Sequence, residues 1–257
     1  MCAIAAIVAM AHAPALAETP DLFADPTVRP DCGAPPDLTR LDGALDRTAL
    51  RLTAGDPIKI VAIGSSSTAG AGASSAATTY PARLSVELNR LMPRDSIAVL
   101  NRGINGQEVG EMLARLPDDV IREAPDLILW QVGTNAVLRN HPLRPRALLL
   151  RKGLRQLKTV QADVVLIDPQ FAPKVLAMPE IDEMIDLIAT TAQREHVGLF
   201  HRFAIMRHWH QVAGIPFDTF LSADQLHMND WSYGCIAKLL ASSIADSASR
   251  STLISRH

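Results

Sequence analysis

Apolar positions along the chain alternate between two periods. From about Asp37, Leu41, Ala44, Leu45, Ala49 and Leu52 recur at helical spacing and predict one helix. Ile60, Val61, Ala62 and Ile63 then form a continuous apolar run, the pattern of a strand buried on both faces, over 58–63. A helix follows from Tyr80-Pro81, with Leu84, Leu88 and Leu91 on one side. Ile97 to Leu100 predict a second strand and 107 to about 123 a second helix. Leu127 to Val132 make a third strand, with a helix from about 144 to 160 beyond it. Val164 to Asp168 form a fourth strand, and Glu180 to Glu195 a helix with Ile181, Ile185, Leu187 and Ile188 available for burial. Val197 to Phe200 read as a fifth strand. A last helix begins at the capping pair Asn229-Asp230 and carries Ile236, Leu239 and Leu240. Strands alternating with helices in this way predict an α/β fold, a parallel sheet covered on both faces.

Composition sharpens this picture. With 257 residues, 48% of them hydrophobic and 20% charged, the chain suffices for one α/β domain and a small extension. A formal net charge of -2 argues against nucleic acid as the main partner. Aromatic residues at 4% rule against a long sugar-stacking platform, leaving Trp130, Trp209 and Trp231 for local use.

Residues 2–17 are short, apolar and alanine-rich, and end in Ala15-Leu16-Ala17 before Glu18, a small-x-small cleavage pattern. The run is too short for a stable membrane span and reads as an export signal, so a periplasmic or secreted location is expected. Only Met1 precedes it, and the missing basic residues point to a start placed too far downstream. The segment from Glu18 to Pro36 is an irregular lead-in rich in Pro and Asp. The expected organisation is therefore a signal peptide over 1–17, an extension with one helix over 18–54 and the main α/β domain over 55–250. Removal of Cys2 with the signal would leave Cys32 and Cys235. In an oxidising compartment they form a possible disulfide; in a reducing one they are two buried thiols. Neither has the spacing of a zinc ligand, and no metal is assigned. His208 and His210, two apart around Trp209, share no helical face and do not alter that reading.

The chemistry gathers where strands end. The first strand stops at Gly64 and is followed by Ser65, Ser66, Ser67 and Thr68 in the stretch KIVAIGSSSTAGAG, from Lys59 to Gly72. A hydroxyl there sits at the carboxyl edge of the sheet, where α/β folds bind ligands. The glycine spacing is not that of a P-loop and no Lys-Ser/Thr follows, nor is this a Gly-x-Ser-x-Gly elbow. After the second strand stands Asn101-Arg102-Gly103, after the third Gly133-Thr134-Asn135, and near the end Asp224-Gln225-Leu226-His227. A serine nucleophile needs a base, an orienting carboxylate and oxyanion donors, and these segments hold all of them.

In these four blocks, in this order from 60 to 230, the chain resembles the SGNH hydrolases, the GDSL esterase and lipase family. The resemblance implies a flavodoxin-like three-layer α/β/α fold with a parallel sheet of about five strands. It also implies that Ser66 is the nucleophile, His227 the general base and Asp224 the carboxylate that orients it. The oxyanion would be met by the N–H groups of Ser66 and Gly103 and the side-chain amide of Asn135. No cofactor is implied. Two positions depart from the family pattern. Ser65 stands where Gly-Asp-Ser has its acid, and Ala136 follows Asn135 where an Asp is usual.

Tyr80, Gln170 and Phe171 follow strand ends and are candidates for lining the substrate pocket, with core packing as the rival reading. Arg139, Arg144, Arg146, Arg151, Lys152 and Arg155 form a basic cluster read mainly as solvated charge. The expected function is an exported serine esterase that hydrolyses or transfers a small acyl group through an acyl-Ser66 intermediate. Its substrate would be an acyl ester carried on an envelope or extracellular glycan. Rival readings are a lipid esterase or thioesterase, or an inactive glycan-binding protein on the same fold.

Overall fold

A computed structural model describes residues 30–254. The expected signal peptide at 1–17 lies outside the described residues. From Cys32 onward the chain forms one compact unit.

The chain opens with two short helices, α1 (Pro36–Thr39) and α2 (Asp46–Ala54), and then enters β1 (Ile58–Gly64). A single turn, α3 (Ser66–Ala69), and the longer α4 (Tyr80–Leu91) lead to β2 (Ile97–Gly103). Next come α5 (Val109–Leu116), β3 (Leu127–Gln131), α6 (Thr134–Leu138), α7 (Leu143–Leu157) and β4 (Asp163–Ile167). After α8 (Pro173–Leu176) and α9 (Ile181–Glu195) the last strand is β5 (Gly198–Phe200). The chain closes with α10 (Arg202–Gln211), α11 (Phe217–Phe220) and the long α12 (Asp230–Ile254).

All five strands are parallel, in the order β2-β1-β3-β4-β5. Right-handed crossovers turn that order into layers. The chain steps one way from β1 to β2 and the other way from β2 to β3, so α4 and α5 lie on opposite faces. Later steps continue the second direction, which puts α7 and α9 beside α5, while α2 and α12 pack with α4. The reversal leaves a crevice at the carboxyl ends of β1 and β3, the switch point where open α/β sheets bind ligands.

The strands are apolar throughout because both faces are covered: β3, Leu-Ile-Leu-Trp-Gln, is wholly buried. The Trp130 ring lies against α7 at Gly153, where a Cβ would collide with the ring, so only glycine lets that helix approach. The helix expected over 107–123 is α-helical only to Leu116, and Pro117 opens a wider turn of π type, Pro117–Ile121.

The lead-in differs more. The single helix expected from Asp37 to Leu52 is two, separated by a bent, non-helical stretch over 40–45 in which both Leu41 and Leu45 are buried. The carbonyl groups freed there are met by α12: Ser243 donates to Thr39, Ser247 to Gly43 at 2.9 Å and Arg250 to Leu41 at 3.2 Å. The Asp163 carboxylate caps α2 from the start of β4, accepting Thr48 N–H at 2.8 Å and Arg47 N–H at 3.2 Å. The boundary expected at 55 thus falls near Cys32, and residues 32–54 are part of the same domain rather than an extension. Cys32 and Cys235 are joined as a disulfide, with Cα atoms 5.5 Å apart, tying the lead-in to α12.

The bridge spans 203 residues of chain, so opening it should cost about 2–4 kcal/mol of stability. Urea unfolding with and without dithiothreitol should show the midpoint falling on reduction, and Cys32→Ser should reproduce the reduced value. An unchanged midpoint would show the two thiols unpaired in solution.

Candidate active site

Ser66 opens α3, directly after β1. The turn is held from below: Ser65 donates its N–H to Gln131 Oε1 at 2.9 Å and its hydroxyl to the same oxygen at 2.8 Å. The serine in place of the family's acid is thus a buried anchor on the end of β3. Because Ser66 is the first helical residue, its N–H has no intrahelical acceptor and is free for another.

Across the crevice, His227 Nε2 lies 2.9 Å from Ser66 Oγ. His227 Nδ1 is hydrogen-bonded to Asp224 Oδ2. The other oxygen of Asp224 accepts the N–H groups of Leu226 and His227 at 3.0 and 2.9 Å and the Ser222 hydroxyl at 2.8 Å. The loop is tight, with Gln225 at φ 56° and an antiparallel bridge between Leu221 and Met228 at its base. Partial burial pushes the Asp224 carboxyl up, but the hydrogen bonds from His227, Ser222 and Leu226 outweigh it and hold the group well below the usual carboxylate range. Asp224 is the more open of the pair, 42% exposed against 18% for the imidazole.

Gly103 ends β2 beside α3. A Cβ there would collide with the backbone of Thr68 and Ala69, so the close approach of β2 to the nucleophile turn requires glycine. Its N–H donates to the Asn101 side chain at 2.9 Å, a bond that an incoming oxyanion would have to replace or share. Asn135 lies in the first turn of α6, and its Nδ2 donates to the Gln107 carbonyl at 2.9 Å. One amide hydrogen is occupied by that bond and the second remains. The structure therefore places Ser66, Asp224 and His227 in one hydrogen-bonded chain, with Gly103 and Asn135 on neighbouring strand ends.

The three pocket candidates sit elsewhere. Tyr80 is 1% exposed; its hydroxyl lies 3.4 Å from Thr68 Oγ1, and burial pushes it up to about 12. Phe171 packs edge-on against Phe203 at 5.2 Å and stacks on Phe217 at 5.9 Å. Both are core residues: Tyr80 is the first residue of α4, and Phe171 is covered by α10 and α11. Gln170 is fully buried and acts as a junction. Its Oε1 accepts Ser67 Oγ at 3.3 Å, Thr134 Oγ1 at 3.1 Å and Arg202 Nη2 at 3.1 Å, and its Nε2 donates to the Leu226 carbonyl at 3.3 Å. Arg202 also donates from Nε to the Asp168 carbonyl at 3.0 Å. Burial pushes the Asp168 carboxyl up to about 6, against the N–H of Phe203 and the charge of Arg202. In the basic cluster, Arg139 and Arg146 pair with the buried Glu108, and Arg151 pairs with Glu195.

Sequence reasoning missed Ser222, Gln131 and Gln107, which support Asp224, Ser65 and Asn135. Only Gln131 carried a visible signal, a polar residue closing an otherwise apolar strand.

A doubly wound sheet with serine, glycine, asparagine and histidine at its carboxyl edge is the fold of the SGNH hydrolases. The model of the non-GDSL lipase-like family matches residues 31–250, and the chain belongs to that family. That description accords with Ser65 in place of the acid. An arylesterase of Vibrio mimicus is 30% identical over 107 residues, 42% of this chain and 53% of that protein. An acetylxylan esterase of Geobacillus stearothermophilus is 36% identical over 66 residues, 26% of this chain and 30% of that one. The matched segments thus span about half or less of these relatives. Among solved structures, a two-domain esterase (CEX) active on acetylated mannans superposes with TM-score 0.69 at 19% identity, over 83% of this chain and 57% of that one. TesA superposes with TM-score 0.62 at 20% identity, over 74% of this chain and 99% of its own. At these identities the likeness is one of fold.

The two carboxyl groups should titrate on opposite sides of the ordinary Asp value of about 4. Carboxyl-carbon NMR should find Asp168 titrating near 6 and Asp224 unprotonated down to pH 4. The stability that Asp224 contributes is then present above pH 4 and lost as pH falls through its depressed native value. Asp168 has the reverse sign: its contribution falls as pH rises from about 4 to about 6. Titration of Asp224 above pH 4 would show its hydrogen bonds to be weaker than the geometry requires.

Proposed function

We propose that the chain is a serine esterase that removes a small acyl group through an acyl-Ser66 intermediate, acting outside the cytoplasm on an acylated glycan. The observation that carries this reading is the 2.9 Å approach of His227 Nε2 to Ser66 Oγ, with Nδ1 tied to Asp224. A serine hydroxyl attacks only as its proton is taken, and the resulting imidazolium needs a negative partner that also fixes its tautomer.

In the first step Ser66 Oγ bonds to the acyl carbon while His227 Nε2 accepts its proton. The carbonyl oxygen becomes an oxyanion facing the N–H groups of Ser66 and Gly103 and the free amide hydrogen of Asn135. Collapse breaks the bond to the leaving alcohol, which takes the proton from His227. Water then attacks the acyl-enzyme with the same base, and collapse releases the acid and restores Ser66. Donors fixed before the charge forms are worth more than mobile solvent, about 3–4 kcal/mol each.

The substrate class draws support from the named relatives, which act on aryl esters, acetylxylan and acetylated mannans. The Cys32–Cys235 bridge supports an oxidising, periplasmic or extracellular setting, since such bonds are rare where thiols are kept reduced. No described helix is long and apolar enough to cross a membrane.

A fluorophosphonate probe should label Ser66, found by peptide mass spectrometry, and 4-nitrophenyl acetate should be hydrolysed. Ser66→Ala should abolish both. Asn135→Ala should lower kcat by about 10²–10³-fold with little change in thermal midpoint. A folded protein with neither adduct nor turnover would sink the esterase reading. Hydrolysis of the nitrophenyl ester without acetate release from acetylated xylan or mannan would reject the glycan substrate alone.

A further inference from the structure

The oxyanion donors come from separate elements, yet one side chain outside them touches the backbone or loop behind each. Arg115, on α5, is 13% exposed. Its Nε donates to Gln107 Oε1 at 2.6 Å. Its Nη1 donates to the Arg102 carbonyl at 2.8 Å and to Asp119 Oδ2 at 2.7 Å, and its Nη2 to the Gly64 carbonyl at 3.2 Å. Asp119 balances the charge. The other three acceptors belong to the segments that hold the donors.

Each link has a geometric consequence. The Arg102 carbonyl and the Gly103 N–H share one rigid trans peptide and point in opposite directions. Fixing that carbonyl therefore fixes the direction of the Gly103 N–H. The Gly64 carbonyl belongs to the last residue of β1, two before Ser66, and also accepts Ile104 N–H at 3.1 Å, so it sets the spacing of β1 and β2 where both end. Gln107, anchored through its side chain, offers the backbone carbonyl that accepts Asn135 Nδ2. A planar guanidinium with five donors in a fixed fork can hold three such acceptors at once; an ammonium on a flexible stem cannot match the fork.

We propose that Arg115 is a positioning residue for the reaction proposed above: it aligns the Gly103 and Asn135 donors with Ser66 without touching substrate. It rests on the esterase reading. An arginine that only paired with Asp119 along the helix would have no link to turnover, and the neighbouring exposed pair Arg122–Asp118 supplies the comparison.

Arg115→Met should lower kcat by about 10²-fold with KM within about twofold, because a donor displaced by a fraction of an ångström fails mainly in the transition state. Arg115→Lys, which keeps the charge and the stem, should still lose about tenfold if the methionine variant fails to fold. Asp118→Ala should match the parent protein. An alkylboronic acid, which binds serine as a tetrahedral anion, should lose affinity in step with kcat/KM. The low-field proton resonance of the His227–Asp224 hydrogen bond should stay in place, separating donor misalignment from damage to the triad. Full kcat and full boronate affinity in Arg115→Lys, measured beside an active parent, would overturn the assignment of Arg115 alone. A parent protein that is folded, unlabelled at Ser66 and inactive would overturn the esterase reading and this one with it.

Discussion

A buried side-chain amide must have both its ends satisfied, and at Gln170 that requirement joins four parts of the chain. Its oxygen draws in Ser67 beside the nucleophile, Thr134 beside Asn135 and the charged Arg202, while its nitrogen holds the Leu226 carbonyl one residue before His227. An unmet polar group at this depth costs about 1–3 kcal/mol, so the four segments have one low-energy arrangement. The position of His227 relative to Ser66 follows from that arrangement as much as from the loop that carries it.

The support is divided. Gln170 works from beneath, through buried side chains, and governs the serine and histidine. Ser65 and Gln131 extend the same layer, since Gln131 Nε2 reaches Thr134 Oγ1 at 3.5 Å and Thr134 then reaches Gln170. Arg115 works from the α5 side, through carbonyl oxygens, on the strand ends where charge would develop. The two supports overlap: the Gln170 layer holds the serine, the histidine and, through Thr134, the start of α6, while Arg115 holds the carbonyl groups at the ends of β1 and β2.

The fold was largely legible because a parallel sheet buried on both faces writes its strands as unbroken apolar runs, and turn residues mark where they stop. The sheet order was not, since crossover direction leaves no trace in a single strand. The candidate triad was legible because four blocks fall at strand ends in the family's order; singly, a serine cluster after a strand, or Asp224 and His227 three apart, would fit an ordinary loop. Phe171 misled because a residue just past a strand end looks the same whether it faces a crevice or an overlying helix, and Tyr80 because the first residue of a helix gives no sign of which side its ring takes. The lead-in misled because its leucines fit a helix by spacing, whereas the bent stretch that buries Leu41 and Leu45 depends on hydroxyl donors some 200 residues later. Such partners are invisible to any local window.

The hydroxyl face of α12 also bears on how the chain assembles. Ser243, Ser247 and Arg250 complete the hydrogen bonding of residues 39–43, some 200 residues earlier in the chain. Contacts this far apart in sequence cost loop-closure entropy before they reward it, so they belong to the slow part of folding. The whole sheet lies inside the loop that these bonds close, and residues 39–43 settle last.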